Sequence, residues 1–290
     1  MSATGSLPYV PYLNLVETIV CVICRLVTIY TMSKVVYHRF LGTNKYPRVR
    51  IVSPMVIMFL SISVCCALTT LPYYLYTMVK WSPANTYDVT AMYWLGMHLS
   101  NSLAVLPALI FFLTLDRCLA LKLPLLYSRQ MYKWTAVNAT IITVLLYVLS
   151  MTFSLLELPL QYSKVKTCSV FSCIVLKFNM LPQFIYKVGF GTANLLLTIY
   201  FLWVTRSSAC EKSIKNSIVK FTLVTEICFN LLPGYVTLLF PTITGEPLAK
   251  YIGLSAALFV AIDSALCGMY YLIMLSRKNA VESFNSEIMY

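Results

Sequence analysis

Seven apolar runs, each long enough to cross a bilayer and parted by short polar segments, predict an all-α membrane protein, a seven-transmembrane helix bundle in which residues 1–290 form a single domain. Three observations carry that expectation. Charge is scarce: 11% of the residues are Asp, Glu, Lys or Arg, 59% are apolar, and the mean hydropathy is +0.77, whereas water-soluble chains carry about a quarter charged residues. The runs also have the right length, since the hydrocarbon layer takes about 20 residues at about 1.5 Å of rise each. Finally, the basic residues gather at alternate ends of the runs. A net charge of +12 in a soluble chain would suggest nucleic acid, but here its placement beside the spans makes the lipid bilayer the partner and nucleic acid none.

The spans are expected at about Leu13–Val36, Ile51–Val79, Ala91–Leu115, Trp134–Glu157, Gln183–Thr205, Ile218–Pro241 and Tyr251–Leu275. The segments between them are too short for a further domain. Fifteen Lys and Arg residues flank one set of ends, among them Lys34, Arg39, Lys122, Arg129, Arg206 and Lys220, against five on the other: Lys80, Lys164, Lys166, Lys177 and Lys250. Basic flanks stay in the cytoplasm, which places the amino terminus outside and the carboxyl terminus inside. Residues 1–12 carry neither a basic leader nor a cleavage pattern, so the first span is expected to be an uncleaved anchor.

Within the third span, Trp94, Met97, His98, Asn101, Ser102 and Val105 recur at intervals of three and four and so share a helical stripe. His98 lies nineteen residues, or about 28 Å, from Arg117, which puts it in the outer leaflet. His98, Asn101 and Ser102, with Phe229, Tyr235 and Tyr251 opposite, are the expected lining of a small-molecule site in the outer half of the bundle. The other reading of the same residues is hydrogen bonding between helices without a ligand.

The third span closes in Leu115-Asp116-Arg117-Cys118-Leu119-Ala120-Leu121-Lys122-Leu123-Pro124-Leu125-Leu126-Tyr127. Seven spans, an external amino terminus and Asp-Arg-Cys at this boundary resemble G-protein-coupled receptors. The Pro seven residues after the Arg, the short termini and the small loops are similar to the nematode serpentine chemoreceptor superfamily. The resemblance implies a chemosensory receptor in the plasma membrane of a chemosensory neuron, with a small-molecule ligand and a heterotrimeric G protein as partners. It also implies that Asp116 restrains Arg117 at rest and that Asp116, Arg117 and Cys118 form the switch. The chain departs from the rhodopsin-like pattern at Met92, where a disulfide cysteine would stand, at Asn230-Leu231-Leu232-Pro233 in the sixth span, and at Asp263-Ser264-Ala265-Leu266-Cys267 in the seventh. Cys168 and Cys173 share the longest external loop and are candidates for a bridge worth about 2 to 3 kcal/mol.

Five ionisable residues fall inside spans: Glu17, Arg25, Lys187, Glu226 and Asp263. Such groups face the bundle, a partner or water. Arg25 and Asp263 lie at similar depth on helices that neighbour one another in a bundle of this type, so they are expected either to pair or to be solvated separately. Lys187 sits near a span end, where its stem can snorkel to the headgroups or its charge can meet an anionic ligand. Glu226 has Lys220 within reach or can carry a proton. Two His residues and the lack of metalloprotease or serine-hydrolase motifs argue against an enzyme, a metal site or a cofactor. The alternative is a secondary transporter that uses the intramembrane ionisable residues, although no internal repeat supports it.

Overall fold

In the computed structural model, the described residues are 9–40, 53–82, 87–123, 127, 129–159, 171, 174–175, 181–207, 214–244 and 248–288. They are helical almost throughout. The rods are α1 (Val10–Phe40), α2 (Pro54–Val79), α3 (Val89–Lys122), α4 (Arg129–Leu155), α5 (Leu181–Ser207), α6 (Ile214–Glu226), α7 (Leu232–Thr244), the single turn α8 (Ala249–Ile252) and α9 (Ser255–Ile288). A π-helical segment, Ile227–Leu231, joins α6 to α7 without a break, so these three pieces make one span. Among the described residues, seven helices are long and apolar enough to cross a membrane. The end at which α1 begins is called the near end below, and the opposite end the far end.

The helices run beyond the lipid-length stretches that hydropathy marks. Helix α3 begins before Ala91 and continues past Leu115 to Lys122, because backbone hydrogen bonding does not stop where lipid does. Local chemistry sets the starts. Ser53 accepts from the Val56 amide with Pro54 in the first turn, and Asp88 Oδ1 accepts from the Thr90 amide at 3.0 Å, each satisfying a donor that the helix leaves open. Thr28, Thr70, Thr114, Thr198 and Thr222 return their hydroxyls to the carbonyl four residues back. A hydroxyl on a buried or lipid-facing helix is thereby satisfied at home.

Helix α3 is the axis: 72% of its most apolar window is buried, against 17% for α4, which lies at the rim. Two apolar clusters surround it. The far-end cluster joins Met32, Phe59, Leu109, Leu113, Phe201, Leu223 and Tyr271. The near-end cluster joins Cys21, Tyr73, Tyr74, Met92, Tyr93 and Met97, and it is closed by Phe171, Ile174 and Val175 from the connection between α4 and α5. Met92, in place of a tethering cysteine, is thus part of this core. Cys168 and Cys173 lie outside the described residues.

Helix α1 packs along α9. Gly253, with φ +61°, makes the turn into α9, and a Cβ there would collide with Asn14 Oδ1 and lie 2.6 Å from Glu17 Oε2. The left-handed backbone and the close approach both require Gly. Glu17 accepts from the Leu254 amide at 2.7 Å, so the first intramembrane acid serves as a clasp on the start of α9.

Candidate functional sites

The far end of α3 holds a closed polar cluster. Arg117 Nη2 and Nε donate to Asp116 Oδ2 at 2.5 and 3.1 Å, and the Tyr127 hydroxyl donates to Asp116 Oδ1. Asp116 is 0% and Arg117 7% exposed. Both carboxylate oxygens are therefore engaged, one by a guanidinium and one by a phenol, and the buried charge is compensated as burial requires. Cys118, the next residue, is buried in the far-end apolar cluster. The sequence raised Asp116, Arg117 and Cys118 together, but Tyr127 as the second ligand of Asp116 depends on how the chain folds back after α3.

The expected ligand-lining residues are dispersed through the bundle. His98 Nδ1 lies 2.9 Å from the Tyr147 hydroxyl. Asn101 accepts from Ser150 at 2.6 Å and donates to Met151 Sδ at 3.2 Å. Both residues therefore face α4, not the sixth span. Ser102 is buried beside Cys66 of α2. Phe229 packs on Phe259 at 6.4 Å between ring centres, and Tyr251 stacks edge-on with Phe240 at the near end. Tyr235 shares a 2.7 Å hydrogen bond with Thr192 of α5. A stripe on one helix identifies residues with a common direction; it does not identify the helix they meet.

Arg25 and Asp263 are both buried, but they form no direct ion pair. Asp263 instead accepts from the Cys267 thiol at 3.8 Å. Arg25, 1% exposed, lies beside Tyr74.

A small cleft lies between α3, α5 and the sixth span, lined by Pro107, Lys187, Val188, Glu226, Asn230 and Tyr235 among others. Tyr235 is the one member of the expected lining found there. The π segment forms one wall: the Leu232 amide reaches back five residues to the Ile227 carbonyl, a bonding pattern that recurs at functional sites. Within it, Asn230 Nδ2 donates to Glu226 Oε1 and Oε2 at 3.0 and 3.1 Å, so Glu226 bonds Asn230 and not Lys220. Lys187, half-buried near the start of its span, packs against the sixth span at Gly234, with Cε 3.3 Å from where a Cβ would stand. On the same face of α5, Asn194 donates to the Pro107 carbonyl at 2.8 Å, pinning α5 to α3 below the cleft.

The sequence signal for the cleft was one Lys and one Glu in separate apolar spans, each in need of a counterpart. That α5 and the sixth span face one another was not readable from either. No family model and no curated protein sequence matches the chain.

Proposed function

We propose that the chain is a G-protein-coupled chemosensory receptor, similar to the nematode serpentine kind, in the plasma membrane of a chemosensory neuron. The near end faces outward, a small molecule binds in the outer half of the bundle, and a heterotrimeric G protein docks at the far end. The observation that carries this reading is the buried Asp116–Arg117–Tyr127 cluster at the far end of the most enclosed helix. An arginine held in this way costs little at rest. Released, it is an uncompensated buried cation that seeks acceptors from outside the bundle. A ligand that favours the released state then shifts a two-state equilibrium by its differential affinity. The basic flanks of the far end, Lys122, Arg206 and Lys220 among them, suit an acidic cytoplasmic partner.

The experiment is nucleotide exchange on reconstituted G proteins of several classes. Arg117→Ala is expected to abolish stimulation, and a variant that exchanges as well as the parent overturns the switch. Tags on the two termini reporting one compartment, or the reverse orientation, overturn the receptor reading as a whole. A second reading, a secondary transporter, is favoured by the two buried acids Glu226 and Asp263 on packed neighbouring spans. It predicts counterflow in proteoliposomes, which a receptor does not show.

A further inference from the structure

The cleft between α3, α5 and the sixth span holds two polar groups with unmet hydrogen-bonding capacity and of opposite kind. Lys187 Nζ, beside Gly234 at 3.7 Å from the Cβ position, has no hydrogen bond or ion pair with any described residue. Asn230, 2% exposed, commits its amide nitrogen to Glu226, which leaves Oδ1 buried and unpartnered. A cationic donor and a bare acceptor with a carboxylate beside it thus line one cavity. In the apolar interior of a bundle, each unsatisfied group is costly, and a charged one more so.

Charge balance narrows what can fill the space. Lys187 and Glu226 line the same cleft from facing helices, and no direct ion pair joins them. An anion alone would answer Lys187 and leave Glu226 uncompensated; a cation alone would do the reverse. A molecule that carries both charges answers both and leaves the net charge of the cleft unchanged. The remaining wall, Pro107, Val188, Leu231 and the ring of Tyr235, suits a short hydrocarbon body between the charged ends.

We propose that this cleft binds a small zwitterion of the ω-amino acid type, its carboxylate on Lys187 Nζ and its ammonium on Asn230 Oδ1 and Glu226. The proposal deepens the receptor reading, and it rests on that reading only for the signalling consequence, since binding is measured without a G protein. The full chain in lipid nanodiscs is titrated calorimetrically with β-alanine, γ-aminobutyrate and ε-aminocaproate, and with butyrate and butylamine as one-charged controls. Saturable binding of at least one zwitterion is expected, with both controls at least about tenfold weaker. Lys187→Met and Glu226→Gln are each expected to weaken that zwitterion about tenfold or more while melting as the parent does. The selectivity among probes is read on the unchanged chain and so does not depend on any variant folding.

Butyrate or butylamine binding as tightly as the zwitterions, no binding of any zwitterion, or zwitterion binding indifferent to both folded variants overturns the proposal. If it falls while nucleotide exchange still depends on Arg117, the receptor reading stands. If the zwitterion binds as expected while Arg117→Ala exchanges normally, the site stands and the receptor reading falls.

Discussion

The far end of α3 and the middle of the bundle treat buried polarity in opposite ways. At the far end, Asp116, Arg117 and Tyr127 consume one another's hydrogen-bonding capacity. Farther toward the near end, Ser63, Asn194 and Asn230 each retain a buried atom without a partner, and Lys187 and Glu226 line one cleft without an ion pair. A satisfied cluster holds one arrangement, because every change costs a bond. An unsatisfied one gains by any change that supplies a partner. The contrast teaches where to look for a latch and where to look for a ligand.

The largest test of this contrast is Asp116→Ala, which strands the Arg117 guanidinium. A loss of about 3 to 5 kcal/mol is expected, read as a lowered melting temperature of the purified protein together with raised basal nucleotide exchange. A similar loss without any change in exchange would make the cluster structural only. Phe171→Ala opens the near-end cluster, and about 3 kcal/mol is expected from the lost ring, measured by the same melt with basal exchange unchanged. Gly253→Ala forces a side chain into the left-handed turn against Asn14 and Glu17. It should cost at least about 1 to 2 kcal/mol, and Ala tolerated there without a shift in melting would contradict the clasp. Tyr127→Phe removes one hydrogen bond from Asp116, worth about 1 kcal/mol, so basal exchange should rise about fivefold. Smallest of all, Ser63→Ala removes a buried hydroxyl without a hydrogen-bond partner and should leave the unfolding free energy within about 0.5 kcal/mol of the parent, or raise it. A loss as large as that of Tyr127→Phe would show that the middle of the bundle is satisfied after all.

The number of rods and the place of Asp116 and Arg117 were legible in the sequence, because apolar run length and a charge pair at a span boundary are local signals. Depth was legible too, since Arg25 and Asp263 do face inward on adjoining helices. What failed to transfer was azimuth. His98 and Asn101 share a stripe, yet that stripe meets Tyr147 and Ser150 on α4, and nothing within the third span says so. Lys187 lies near a span end, but its packing against Gly234 on a facing helix is a contact that only the packed structure reveals. The Glu226–Asn230 bond spans four residues and lay within reach of sequence reasoning. Helix spacing suggests such a pair; the π turn that carries it has no clear compositional sign.

That π turn also sets how the two halves of the sixth span are aimed. An α-helix advances about 100° per residue, and the Ile227–Leu231 segment takes up one residue more per turn than α bonding would. Its hydrogen bonds therefore fix the heading of Leu232–Thr244 relative to Ile214–Glu226. Retying them in the α pattern would wheel Gly234 and Tyr235 around the rod and away from Lys187, while Thr222 and Ser217 kept hold of Tyr271 and Tyr270. The rod is in effect two half-shafts on a swivel, and a single turn of backbone decides which way its upper part looks.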